Sequence, residues 1–182
     1  MIPHLLLERI RRHLNSGGII AYPTESCYGL GCDPKNYRAI RLLLGIKQRP
    51  ESRGLILVAG NMRQLQRYIG NPPPQEELAR FWPGPYTLLL DASRRTPPWI
   101  RGRHDKVALR LTAHPDTSRL CRMLGMALVS TSANLSGMKP AGNFRDCTAR
   151  FGKDVLVVPG RTGKRKTPST IVDFESGRIF RP

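Results

Sequence analysis

Short apolar runs ending in hydroxyl, amide or charged residues alternate along this chain with segments whose apolar residues recur at helical spacing. Neither period persists long enough for a bundle or an all-strand sandwich, so the pattern predicts helices laid on a sheet. His4 to Asn15 puts Leu6, Ile10 and Leu14 on one helical face, and Gly17-Gly18 ends it. Gly18 to Tyr22 reads as a short buried strand closed by Pro23. Tyr37 to Ile46 is helical, with Ile40, Leu43 and Leu44 inward. Gly54 to Ala59 is a strand, and Asn61 caps a helix to about Ile69. Pro72 to Pro74 breaks the chain, and a short helix leads into Phe81-Trp82-Pro83-Gly84-Pro85. Tyr86 to Asp91, Lys106 to Thr112, Ala127 to Thr131, Val155 to Val158 and Thr170 to Phe174 read as strands. Helices near Asp116 to Leu124 and Phe144 to Phe151 separate three of them. The expected fold is α/β: a single domain over residues 1–182, with a twisted, mixed parallel and antiparallel sheet flanked by helices.

Several function classes drop out early. No apolar stretch is long enough to span a bilayer. The segment Met1 to Leu14 carries Arg9, Arg11 and Arg12 inside its pattern, which suits a cytosolic helix and not a signal peptide. Cys27, Cys32, Cys121 and Cys147 lack zinc spacing and form no redox pair. His4, His13, His104 and His114 are scattered, so the sequence proposes no metal-ligating residues.

Charge narrows the choice of partner. Thirty Lys and Arg residues against 13 Asp and Glu give a net charge of +17, a field that draws in polyanions. Most of the cations are arginines, which grip phosphates bidentately. A basic surface tuned for solubility would look the same, and charge alone does not separate RNA, DNA and nucleotide.

The strand ends hold the candidate chemistry. Tyr22 to Gly31 leaves a buried strand rich in small and polar groups, and its glycines permit a ligand to approach the backbone. It lacks the third glycine and following helix of a dinucleotide site. Gly163-Lys164 fails as a phosphate loop because Arg165 stands where Ser or Thr is required. Lys47-Gln48-Arg49-Pro50 places two cations on an extended turn, where they could converge on a phosphate chain; a solvated helix end is the plainer reading of the spacing. Ser130-Thr131-Ser132-Ala133-Asn134 ends an apolar strand in groups able to hold a carboxylate or phosphate, although polar strand ends are common.

Taken in order, these motifs resemble the YrdC/TsaC family, the threonylcarbamoyl-AMP synthases of tRNA modification, in their short bacterial form. The resemblance runs from Gly18 to Pro182. It is carried by Tyr22-Pro23-Thr24-Glu25 with Tyr28-Gly29-Leu30-Gly31, by Lys47-Gln48-Arg49-Pro50 and by Gly54-Leu55-Ile56-Leu57. Trp82-Pro83-Gly84-Pro85 with Thr87, Ala108-Leu109-Arg110 with His114-Pro115, and Ser130 to Gly137 continue it. Ser169-Thr170-Ile171-Val172-Asp173 and Arg178-Ile179-Phe180-Arg181 complete it. The family often has Thr-Val where Ser26-Cys27 stands here, and the loop from Lys139 to Arg145 matches poorly.

The resemblance implies that L-threonine, bicarbonate and ATP become threonylcarbamoyl-AMP and pyrophosphate. Partner enzymes, the threonylcarbamoyl transferase complex, would then modify tRNA position 37 in the cytoplasm. By matching motif, Lys47, Arg49, Ser132 and Asn134 are similar to the family's catalytic set. Thr24, Thr87, Arg110, Ser130, Ser169 and Arg181 are similar to its substrate contacts, with Arg110 suited to the threonine carboxylate. Magnesium would be held mainly by the phosphates. A threonine carbamate brings its own oxygen nucleophile, so the absence of a triad-like arrangement fits. The competing expectation is an RNA- or ribosome-binding module without catalysis, and weak, salt-sensitive tRNA binding can accompany either.

Overall fold

The computed structural model describes residues 2–135 and 137–182; Met1, and Ser136 within the Ser/Asn motif, lie outside them. In chain order the elements are α1 (His4–Asn15), β1 (Ile20–Pro23), β2 (Tyr28–Gly31), α2 (Tyr37–Lys47) and, after a 3-10 turn at Glu51–Arg53, β3 (Ile56–Ala59). Then come α3 (Arg63–Gln66), α4 (Gln75–Leu78), β4 (Tyr86–Asp91), α5 (Pro98–Arg101) and β5 (Lys106–Leu111). α6 (Pro115–Leu124), β6 (Leu128–Ser132), α7 (Phe144–Phe151), β7 (Leu156–Val157), β8 (Thr170–Asp173) and β9 (Ile179–Arg181) complete the chain. Among the described residues the strands form one sheet in the order β7-β1-β2-β6-β3-β5-β4-β8-β9. β1 with β7, β3 with β5 and β4 with β8 are parallel, and the remaining neighbours are antiparallel. The sheet is mixed, as the strand pattern implied.

Strand alternation gives this sheet two unlike faces. Leu57, Leu109, Val129 and Leu30 point to one face, where α2 seals them with Ile40, Leu43 and Leu44. α7 adds Cys147 and Phe151 to the same core. Their neighbours Val58, Leu128, Ile20 and Tyr22 point to the other face, covered by Ile10 and Leu14 of α1 and Leu120 and Cys121 of α6. That second cover reaches only part of the sheet. Further along the same face, Ser130 and Ser132 follow Leu128, Ile56 precedes Val58, and Arg110 lies opposite Val58 across the strand pair. Helix cover stops there, and the polar strand positions face a cavity.

Local chemistry explains the elements and also the misread boundaries. Asn36 caps α2 by accepting from the Ala39 N–H at 3.1 Å, and Asn143 caps α7 by accepting from Asp146 N–H at 2.9 Å. In α1 the buried stripe is Leu7, Ile10 and Leu14, with Leu6 half-buried. Asn61 does accept from Gln64 N–H at 3.2 Å, yet α3 stops at Gln66 instead of reaching Ile69. The chain leaves the helix because the Tyr68 carbonyl accepts from Ser93 N–H and the Thr96 hydroxyl, and Ile69 bridges Ala92. Tyr28–Gly31, not among the strands read from the sequence, is a strand paired with both β1 and β6. Its Gly31 lies so close to β6 that a Cβ there would collide with the Val129 carbonyl and come 2.8 Å from the Tyr22 ring. Gly31 is therefore a packing glycine, and of the two only Gly29 lines the cavity.

Candidate functional site

A cavity of about 330 Å³ opens over the uncovered face, within the size range of small-molecule sites. Nine of the ten residues singled out by sequence line it: Thr24, Lys47, Arg49, Arg110, Ser130, Ser132, Asn134, Ser169 and Arg181. Thr87 is the exception. It is fully buried behind the wall, and its hydroxyl lies 2.8 Å from that of Ser169. Ser169 in turn accepts from Arg181: the guanidinium reaches its hydroxyl and its carbonyl, each at 3.0 Å. Thr87 thus steadies a lining residue and has no surface to offer a ligand.

Lys47 ends α2, and Gln48 follows in the left-handed conformation at φ 47°, so Arg49 turns back toward the helix. The two cations are split by a helix cap, so they sit at the helix end that the spacing favoured, yet both line the cavity. Lys47 Nζ donates to Ser132 O at 2.8 Å, Asn134 O at 2.6 Å and Asn134 Oδ1 at 2.6 Å. Ser132 Oγ donates to the same Oδ1 at 2.6 Å, while Asn134 Nδ2 donates to Leu135 O and Met138 O. Ser130 and Ser132 belong to β6 itself, two positions apart and so on one face. Arg49 donates to Gly54 O at 2.9 Å, and its buried Nε has no partner among the described residues.

Five cations ring the cavity: Lys47, Arg49, Arg110, Arg181 and Arg53, the last of which the sequence pattern did not single out. Among the described residues, no carboxylate lines it. Burial, then the neighbouring Arg49, pushes Lys47 down to about 8. Arg181 is lowered by burial and by Arg110 and Arg49, and Arg49 by burial and Arg53. Cations that depress one another in this way leave a site short of negative charge, which a polyphosphate or carboxylate supplies. Thr24, its hydroxyl donating to Cys27 O at 2.8 Å, lines the cavity together with Cys27.

The Sua5/YciO/YrdC family model, whose description reads "Telomere recombination", matches residues 12–182. The chain belongs to this family. Within it, the chain is 54% identical over 178 residues to a Chromobacterium violaceum protein named threonylcarbamoyl-AMP synthase, covering 97% of this chain and 92% of that one. A Methylobacillus flagellatus protein of the same name is 53% identical over 175 residues, 95% of this chain and 97% of that protein. Among solved structures, P. abyssi Sua5 complexed with L-threonine superimposes with a TM-score of 0.85 at 29% identity. That match covers 95% of this chain and 52% of the other, so the chain spans about half the length of that Sua5. Among the described residues, no helix of this family member is long and apolar enough to cross a membrane.

Proposed function

We propose that the chain is an L-threonylcarbamoyladenylate synthase, a nucleotidyltransferase that joins L-threonine, bicarbonate and ATP into threonylcarbamoyl-AMP, releasing pyrophosphate and water. The observation that carries this reading is the five-cation cavity without a carboxylate among its described lining residues, built from the family's motifs. In the chemical step a carbamate oxygen of N-carboxythreonine attacks the α-phosphorus, an O–P bond forms, and the bond to the β-phosphate breaks. The protein's task is alignment and charge neutralisation, since the nucleophile belongs to the substrate.

Roles follow from placement. Lys47 and Arg49, with Ser132 and Asn134 on the adjoining strand end, face the triphosphate and offset its growing charge. Arg110 receives the threonine carboxylate with Thr24 beside the amino acid, while Ser130, Ser169 and Arg181 complete the pocket and Thr87 holds Ser169. No group of three or more His, Cys, Asp or Glu side chains converges among the described residues. The donors present are hydroxyls and carbonyls, which fits Mg²⁺ that arrives on ATP and keeps phosphate and water ligands. When bound, such an ion would neutralise phosphate charge beside Lys47 and Arg49.

In this reading a second enzyme transfers the threonylcarbamoyl group to adenosine 37 of tRNA, and both act in the cytoplasm. Direct contact with tRNA would be weak and salt-sensitive. An RNA- or ribosome-binding module without catalysis is the less favoured reading, because charge accounts for neither the strand-end hydroxyls nor the held Lys47.

Mass spectrometry of products from ATP, threonine, bicarbonate and magnesium tests the reaction. Threonylcarbamoyl-AMP and pyrophosphate should appear, both dependent on bicarbonate; threonyl-AMP formed without bicarbonate would overturn it. Arg110→Ala should raise the threonine KM by roughly one to two orders of magnitude, with ATP binding little changed. Equal loss of both affinities would reassign Arg110.

A further inference from the structure

Glu25 stands next to Thr24 in the turn between β1 and β2, but it does not line the cavity. Its backbone is fixed from outside the turn. Gly163 N–H donates to Thr24 O at 2.9 Å and Arg165 N–H donates to Glu25 O at 3.0 Å. Its side chain points to the far side of Arg110. There Oε1 accepts from the Thr112 hydroxyl at 2.8 Å and from Ala113 N–H at 3.2 Å. Oε2 lies 2.6 Å from Arg110 Nη2, both side chains being largely buried. The two touch as charges without an aligned hydrogen bond, since neither buried atom has a hydrogen-bond partner among the described residues. At its other edge Arg110 Nε donates to Gly84 O at 3.3 Å. Among the described residues, Arg110 is the one cavity-lining cation held in an ion pair.

We propose that Glu25, braced by Thr112, is a positioning residue that sets the direction of the Arg110 guanidinium toward the carboxylate of the amino-acid substrate. The inference rests on the reading of Arg110 given above. The hydrogen bond to Gly84 O and the charge of Glu25 beside Nη2 restrict the plane of a group that is otherwise free to rotate about its stem. A guanidinium recognises a carboxylate bidentately only when that plane is correct. Stability is the weaker explanation for the pair, because removing a carboxylate from water offsets much of what the ion pair contributes. The electrostatic balance agrees with an ionised carboxylate. Burial alone would raise the Glu25 carboxyl, but Arg110 and then the Thr112 hydroxyl outweigh it and hold it below its ordinary value.

Glu25→Gln keeps the size of the side chain and the acceptor for Thr112 and Ala113, and replaces the charged oxygen facing Arg110 with an amide NH2 that cannot pair with it. We expect the threonine KM to rise about tenfold, with kcat and the ATP KM within about twofold of wild type. Thr112→Val should give a smaller rise in the same constant, and Thr112→Ser should restore it. Should Glu25→Gln fail to fold, the two Thr112 variants decide the matter. An unchanged threonine KM, or a loss spread evenly over kcat and both KM values, would overturn the proposal. Threonine binding is also measured by calorimetry without ATP. Wild-type protein that binds threonine yet makes no adenylate would sink the proposed reaction while leaving Glu25 testable by binding alone.

Discussion

The ammonium of Lys47 has three N–H bonds, and the turn at Asn134 accounts for all of them: two acceptors on Asn134 itself, each at 2.6 Å, and the Ser132 carbonyl at 2.8 Å. Lysine and asparagine, far apart in sequence, form one unit in space. Asn134 adds two donor bonds that tie the following loop to it. Lys47 therefore both supplies charge to the cavity and fixes the strand end that carries the serine hydroxyls.

Groups acting as a unit lose function together. Lys47→Ala should lower turnover by about two or more orders of magnitude, as should Asn134→Ala, and the double variant should be little worse than either. Pyrophosphate release under saturating substrates measures this, with melting temperature as the control for folding. Multiplying losses in the double variant would show two independent contributions and would separate the pair.

Lys47 should also titrate in the working range. Burial and Arg49 favour the neutral amine and bring it down to about 8, against an ordinary 10.5. The sign for activity follows directly: the charged form faces the phosphates below about 8 and is lost as pH rises through that value. kcat/KM for ATP should therefore fall on the alkaline side of about 8. Acetic anhydride labelling of the free protein supplies an independent reading, since only neutral amines react. Labelling at Lys47 should level off above about 8. Labelling at Lys47 that keeps rising well past 8 would refute the lowered value.

The longer helices were legible because their signals are local, whereas α3 was read too long and α5 was not read. α7 follows an Asn that caps it and α1 precedes a pair of glycines, so both boundaries could be read from neighbouring residues. β2 was hidden for the opposite reason. Glycine usually marks a turn, and the reason for Gly31 lies in a carbonyl of β6 nearly a hundred residues away. β9, three residues long on the sheet edge, offers no period to detect. Individual site motifs read as ordinary strand and helix ends; their order along the chain pointed to one site. The contact between Glu25 and Arg110 had no sequence signal beyond its place in a motif, because it joins the β1–β2 turn to β5, two strands removed from that hairpin in the sheet.

Two glycines separate packing from propensity. A Cβ on Gly31 has no room, so Gly31→Ala should cost about 3 kcal/mol, near the upper end for overpacking. Gly45 lies exposed within α2, and a Cβ added there would meet nothing within 4 Å, so Gly45→Ala should stabilise by roughly 0.5–1 kcal/mol. Urea unfolding of both variants gives the comparison. A destabilised Gly45→Ala, or a neutral Gly31→Ala, would contradict the packing described.

Charge on the rest of the surface makes its own prediction. The net charge of +17 is spread along the chain, from Arg9, Arg11 and Arg12 on α1 to Arg161, Lys164 and Lys166 before β8. Each RNA phosphate neutralised releases counterions, so log affinity should fall linearly with log salt, by about 0.9 per contact on a duplex and about 0.7 on a single strand. The slope should be steep and nearly the same for different tRNAs, because a dispersed field reads phosphates and not bases. Adenylate synthesis should meanwhile proceed with no RNA present, since the lining cations, hydroxyls and the Glu25–Arg110 pair all come from this chain. Filter binding across a salt series, run beside the product assay with and without tRNA, distinguishes the two. Binding specific to one tRNA that persists at high salt, with synthesis absent until tRNA is added, would overturn the enzyme-first reading and favour an RNA-binding module instead.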